Sequence, residues 1–274
     1  MTITYKLGQD ALSTLEEESY VSLGQLFTLD EMNRVRESFD RVLETAPPGM
    51  EIIREHVHGP VRSVMGWQQA DPVLDHFTRD RRVLEAVQSV LGPEVVFHQT
   101  KYNPKAPGGK GEKWDPHRGI TFWHYLDGVP DPAKMVSVFI AVTDQTPQNG
   151  ATFTWIGAHK VTLEDLRNET DFGQRKEGDA TSDTAAYLSL QIKAEKIVEC
   201  DQKFKKVHIA GPAGSVWLLD SRNLHASQPN NSDQVRILIA NVYRSKDNHP
   251  LHPRPHQFLA CTSQVPLDFY SGSW

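Results

Sequence analysis

Cysteine is nearly absent from the sequence: Cys200 and Cys261 are its only two in 274 residues. That excludes a disulfide framework as the source of stability, and the two are read as free thiols in a reducing cytoplasm. Long apolar runs are missing too, since none approaches the roughly 18 residues of a membrane-spanning helix. The opening MTITYKLGQD lacks the charged-then-apolar order of a secretory leader. Positive charge is not in excess: 29 Lys and Arg against 35 Asp and Glu give a formal net charge of −6. This balance argues against a nucleic-acid polymer as partner. No repeat, low-complexity block or Pro/Gly/Ser linker divides the chain. The expectation is one cytoplasmic domain over 1–274, with no membrane partner.

What is present suffices for a core, because hydrophobic residues make up 38%. Thr28 and Glu31 have the spacing of a capping box, and Met32, Val35, Phe39, Val42 and Leu43 recur at helical intervals, predicting a helix over 29–45. Val83, Leu84, Val87, Val90 and Leu91 predict a second over 80–91, stopped by Gly92 and Pro93. Beyond it, six short segments (95–102, 135–143, 152–156, 206–209, 215–220 and 235–243) are rich in β-branched and aromatic residues and separated by turn signals. Helices first and strands later predict a mainly β barrel or sandwich buttressed by N-terminal α-helices. The charged stretch 161–205 reads as an insertion with some helix, a possible lid.

Histidine, at 12 residues, is unusually frequent. Two segments carry the chemistry. One runs Trp114, Asp115, Pro116, His117, Arg118, Gly119 and on through Phe122, Trp123 and His124. The other runs from Leu219 through His225 to Ser227, with Arg236 in the apolar strand that follows. Non-haem iron oxygenases hold Fe(II) with two histidines and often one carboxylate, leaving positions open for substrate and O2. A basic residue some way beyond the second histidine anchors the far carboxylate of 2-oxoglutarate. Arg236 has that placement, and its planar fork suits a carboxylate.

At these residues the chain resembles the phytanoyl-CoA dioxygenase family. The likeness covers most of the chain: the N-terminal helix, the segment from His98 to Asn103, the His117 segment, the block from Asn149 and Gly150 to Gly157 and His159, then His225 and Arg236. It implies a double-stranded β-helix of the cupin or jelly-roll kind, with His117 and His225 on Fe(II). It further implies that Gln99, Ser137 and Ser227 line the 2-oxoglutarate and iron pocket, that Arg236 anchors the cosubstrate, that O2 is consumed, and that Trp123 sits near the substrate.

One departure decides the expected reaction. The family has His-x-Asp where this chain has His117, Arg118, Gly119. That looks like the iron/2-oxoglutarate halogenases, which carry Ala or Gly there. Losing the carboxylate opens a coordination position and deletes a negative charge; chloride fills the one and restores the other. 2-Oxoglutarate would be decarboxylated to succinate, a substrate hydrogen atom abstracted, and the carbon radical would take chlorine when placed nearer to it than to oxygen. The alternatives are a hydroxylase with water in the vacant place, or an Asp-to-Gly variant of one; a catalytically inactive binding barrel; and a carboxylate supplied from elsewhere, Asp115 being the nearest.

Other histidines are read as lying outside the metal site, His159 as scaffold or rim and the three C-terminal ones as surface loop. His159 belongs to a Gly-x-His turn, and His124 would face away from Trp123 in an extended segment. His98 alternates against Gln99, and His249, His252 and His256 lie among prolines. Lys101, Lys105, Lys110, Lys113 and Arg118 make a basic run in an acidic chain. It is either a solvated loop or a guide for an anionic small-molecule substrate such as a nucleotide, with Arg118 the first choice as anion partner. A carrier-bound substrate is disfavoured.

Overall fold

The N-terminal half supplies a helical layer for a sheet to lean on. In the computed structural model, which describes residues 4–55, 58–125, 127–161, 192–252 and 261–270, helix α1 spans Gln9–Glu18, α2 Leu29–Thr45, α3 Pro72–Thr78 and α4 Arg81–Leu91. The α2 boundaries are those predicted, and the capping box is formed: Glu31 N donates to Thr28 Oγ1 at 3.2 Å and Thr28 N donates to Glu31 Oε2 at 2.7 Å. Met32, Val35, Phe39 and Val42 form the buried stripe of α2, and Val83, Leu84 and Val87 that of α4. Both enter one core with Tyr102, Val138, Ile140, Leu218 and Ile239 of the sheet. Burying each such side chain stabilises the fold by about 1.5–3 kcal/mol.

The strands are β1 (Tyr20–Gln25), β2 (Glu51–Arg54), β3 (Val61–Met65), β4 (Val95–Lys105), β5 (Trp114–His117), β6 (Met135–Ala141), β7 (Thr152–Trp155), β8 (Lys206–His208), β9 (Ser215–Asp220), β10 (His225–Ser227) and β11 (Arg236–Ser245). They form a seven-stranded antiparallel sheet in the order β1-β9-β6-β11-β4-β3-β2 and a four-stranded one in the order β5-β10-β7-β8. Alternation divides the large sheet between two cores. Val138 and Ile140 face the helices, while Phe139, Trp217, Leu238 and Ala240 form a second cluster on the other face. This two-sheet jelly-roll is the double-stranded β-helix expected. The sequence pattern found the long strands and missed β1, β2, β3, β5 and β10, which are short or polar.

One local reading is corrected. The stretch after His117 is not extended: α5 spans Gly119–Tyr125, so the strand-based argument for His124 does not apply. His124 is instead tied down by its Nδ1, which donates to Val129 O at 2.8 Å. Within 161–205, residues 162–191 lie outside the described residues. Its described end carries helix α6 (Ala194–Lys203), packed through Cys200 beside Trp155 and Leu224.

Candidate metal and cosubstrate site

The site sits between the sheets, and strand pairing builds it. β5 and β10 run antiparallel with His117 opposite His225, so residues far apart in sequence meet as cross-strand neighbours. Their ring centroids are 4.4 Å apart. Each ring is oriented by the backbone two residues before it: His117 Nδ1 donates to Asp115 O at 2.7 Å and His225 Nδ1 to Asn223 O at 3.1 Å. A carbonyl can only accept, so each Nδ1 carries the proton and each Nε2 keeps its lone pair, the form a metal requires. Burial holds both imidazoles neutral. His117 is lowered to about 4, mainly by desolvation, and His225 falls well below the usual range through desolvation and then its neighbour His117.

Asn223 is a positioning residue the sequence reading missed. Buried, it donates to Ser19 Oγ at 2.7 Å and to Thr154 Oγ1 at 2.8 Å, fixing the turn that presents His225. The only signal in the sequence was its place two residues before a candidate ligand.

Among the described residues, no Asp or Glu joins the two imidazoles as a third donor. Asp115 lines the same cavity, but its carboxylate pairs with Lys113 Nζ at 2.8 Å. At the position where the family pattern has Asp stands Gly119, also in the cavity wall.

The cavity in front of the imidazoles is walled by Phe122, Trp123 and Phe139, with Ser137, Ser227 and Arg236 also contributing. Two expected residues are not among its lining. Gln99 is buried opposite Val242, at the barrel end filled by Trp123, Met135 and Val242. Arg118, offered as anion partner, is turned the other way. It is buried, and its guanidinium donates to Ala158 O at 2.6 Å and Val161 O at 2.7 Å. It clamps the segment after β7, because a helical turn starting at Gly119 sends residue 118 away from the cavity that His117 faces. Arg118→Met is therefore expected to cost stability, about 1–3 kcal/mol by leaving buried carbonyls undonated. The denaturant midpoint should report that loss, and a variant as stable as the parent would contradict the clamp.

Arg236 lines the cavity, and a second basic residue, Lys105, lies beside it just behind the lining. Arg236, first in β11, pairs across the ladder with Lys105, last in β4. Arg236 Nη2 donates to Gly150 O at 2.6 Å, while its buried Nε has no acceptor among the described residues. Gly150 is required there: its φ is +75°, and a Cβ would lie 2.4 Å from Gln228 O. Lys105 Nζ donates to Ser227 Oγ at 2.8 Å and to Gln228 O. Burial lowers Arg236 to about 10; it lowers Lys105 to about 6, with Arg236 and Arg62 adding repulsion. A buried guanidinium with an orphaned Nε, beside an amine that an arriving anion would recharge, makes a receptor for a carboxylate. The sequence placed Lys105 only in a basic run; its register opposite Arg236 is what singles it out. Lys101, from the same run, lines the cavity nearer the imidazoles and is lowered to about 8 by burial.

Among the described residues, the other histidines stand apart from this centre. His98 is buried, with Nε2 3.0 Å from Asp127 Oδ2, and His159 Nε2 lies 3.0 Å from Glu16 O. His256 lies outside the described residues.

A jelly-roll holding two neutral imidazoles on facing strands, with a cationic receptor deeper in the cavity, defines a metal-centred oxygenase-type architecture. The phytanoyl-CoA dioxygenase (PhyH) family model matches residues 15–238, and the chain belongs to that family. It is similar to the ectoine dioxygenase of Bordetella parapertussis, 28% identical over 279 residues, covering 96% of this chain and 86% of that protein. It is also similar to the ectoine dioxygenase of Nocardia farcinica, 27% identical over 254 residues, covering 92% and 83%. Among solved structures, iron-bound EctD from S. alaskensis superposes with a TM-score of 0.80 at 22% identity, over 99% of this chain and 90% of that one. The carbocyclase SnoK from nogalamycin biosynthesis gives 0.70 at 21% identity, over 100% and 97%.

Proposed function

We propose that this protein is an Fe(II)- and 2-oxoglutarate-dependent halogenase that places chlorine on an unactivated C–H of a freestanding small molecule. The observation that supports the reading is Gly119 in the wall beside the two imidazoles, where the family pattern has a carboxylate. The residues present fit the metal, because both Nε2 atoms are free of their protons and the rings share one edge of the cavity. They fit the cosubstrate, because Arg236 lines the same cavity with a buried Nε that has no acceptor among the described residues, and Lys105 lies beside it. Bound together, iron, 2-oxoglutarate, O2 and chloride supply hydrogen-atom abstraction and halogen transfer, with succinate and CO2 as by-products.

The chain's own residues supply position and exclusion. His117 and His225 hold the metal on a strand pair stiffened by Asn223. Arg236 and Lys105 take the far carboxylate of the cosubstrate, with Ser227 holding the amine. Phe122, Trp123 and Phe139 exclude water and present an apolar wall to the substrate carbon. Lys101 replaces Arg118 as the partner for an anionic group on the substrate; a nucleotide is one molecule of that class.

A second reading, a hydroxylase with water in the vacant place, is favoured by the similarity to ectoine dioxygenases. Anaerobic crystals soaked with Fe(II), 2-oxoglutarate and bromide separate the two. The halogenase reading expects an anomalous bromide peak bonded to the metal beside Gly119. A water oxygen there at saturating bromide removes it in favour of the hydroxylase.

The anchor carries its own pH signature. Lys105 is neutral above about 6 in the open site, and an arriving carboxylate raises its pKa again. Cosubstrate binding therefore takes up a proton, so affinity should fall as pH rises above 6, by up to about tenfold per unit. Calorimetry at pH 6.5 and 8.5 should show the fall in the parent and not in Lys105→Met. A parent with flat affinity across that range would place Lys105 away from the carboxylate.

A further inference from the structure

Gly119 has a second structural partner besides the proposed metal. A Cβ built on it would lie 2.3 Å from Trp123 Cη2, 2.7 Å from Cζ3 and 2.9 Å from Cζ2. Real Cβ atoms do not approach carbon that closely, so the six-membered ring of Trp123 occupies the volume through which any side chain at 119 would leave the backbone. α5 brings this about, since residues four apart on a helix stack on the same side.

The ring is held in place. Trp123 is 3% exposed and packs with Ile120, Phe122, Val129, Met135 and Val242. His98 lies edge-on at 5.6 Å, itself held by Asp127. Trp123 O accepts from Val129 N at 3.0 Å, anchoring the backbone beneath the ring. The ring also borders the cavity that His117 and His225 line.

We infer that Trp123 is a specificity-determining residue that bars a protein side chain from the iron at position 119 and so keeps that coordination place for a ligand that arrives from the cavity. The glycine and the indole form one device. Glycine alone would leave a position that a single substitution could refill; with the ring resting on it, an Asp at 119 has no path to the metal. A free anion has no Cα to start from and is not excluded by the same contact.

The inference leans on the His117–His225 metal site for its second measurement only. The first measurement needs no metal. Thermal midpoints of the apoprotein are compared for Gly119→Ala in the Trp123 background and in the Trp123→Leu background. The added methyl should lower the midpoint in the first and be tolerated in the second, a non-additive pair. Equal losses in both backgrounds, or none in either, would overturn the proposal. Failure of the Gly119→Ala protein to fold, with recovery in Gly119→Ala/Trp123→Leu, is the same result at its limit.

The second measurement is anaerobic Co(II) affinity, read from the metal's visible absorption. Gly119→Asp should bind Co(II) no tighter than the parent. Gly119→Asp/Trp123→Leu should bind at least tenfold tighter than Trp123→Leu. If Gly119→Asp alone gains that factor, the ring yields and the inference fails, whatever the enzyme does with halide. If no variant binds Co(II) but the apoprotein shows the coupling, the metal reading falls and the steric one stands.

Discussion

His225→Ala is expected to abolish Fe(II)-dependent consumption of 2-oxoglutarate while leaving the fold intact. A site with three protein donors retains two when one is deleted; here deletion would leave His117 alone on the metal. Loss of a residue that merely orients a ligand typically costs about 10–100-fold in metal affinity, and loss of a ligand from a set of two must exceed that. The fold should hold because both rings are half-buried and neutral, so removing one strands no charge. Equilibrium dialysis of Fe(II) under nitrogen gives the affinity, and a urea transition gives the stability. His117→Ala should behave alike, since the two rings face each other across β5 and β10. A His225→Ala protein that keeps both iron and 2-oxoglutarate turnover would mean that the metal is held elsewhere.

That pairing shows what was and was not readable beforehand. The two histidines stand out in sequence because their order and spacing with Arg236 match an iron/2-oxoglutarate pattern. Their meeting is a property of strand register, which a three-residue strand such as β10 does not advertise. α2 was readable to the residue because its cap and stripe are local and mutually consistent. Arg118 was misread for the opposite reason. Its neighbour His117 faces the cavity, but one residue later the chain turns into α5, and adjacency in sequence became opposition in space. Lys105 and Trp123 mark the same boundary. A lysine four residues past Lys101 in a basic run gives no hint that it is buried against Arg236. Nor does a tryptophan four residues past a glycine announce contact until the segment is known to be helical.

Arg236→Leu should separate cosubstrate affinity from stability. In the open site Arg236 is a buried cation beside the Lys105 amine, with one donor on Gly150 O and its Nε without an acceptor among the described residues. A buried charge without a counter-ion costs stability until an anion arrives, and Leu relieves that cost. Against that stands the lost donor to Gly150 O, about 1–3 kcal/mol, so the apoprotein should come out close to the parent. Binding should move much further. Removing one partner of a buried, hydrogen-bonded charge pair costs about 3–5 kcal/mol, which corresponds to an affinity for 2-oxoglutarate lower by about two to four orders of magnitude. Lys105→Met should lose less, because its amine keeps its charge only below about 6 in the open site. Calorimetry of the apo variants with 2-oxoglutarate measures the first quantity and thermal unfolding without it the second. An Arg236→Leu protein that binds 2-oxoglutarate like the parent but unfolds several kcal/mol earlier would make Arg236 a scaffold for the Gly150 turn. Ser227, the partner of Lys105, would then be the place to look for the anchor, since it lies on β10 with His225 and reaches the same cavity.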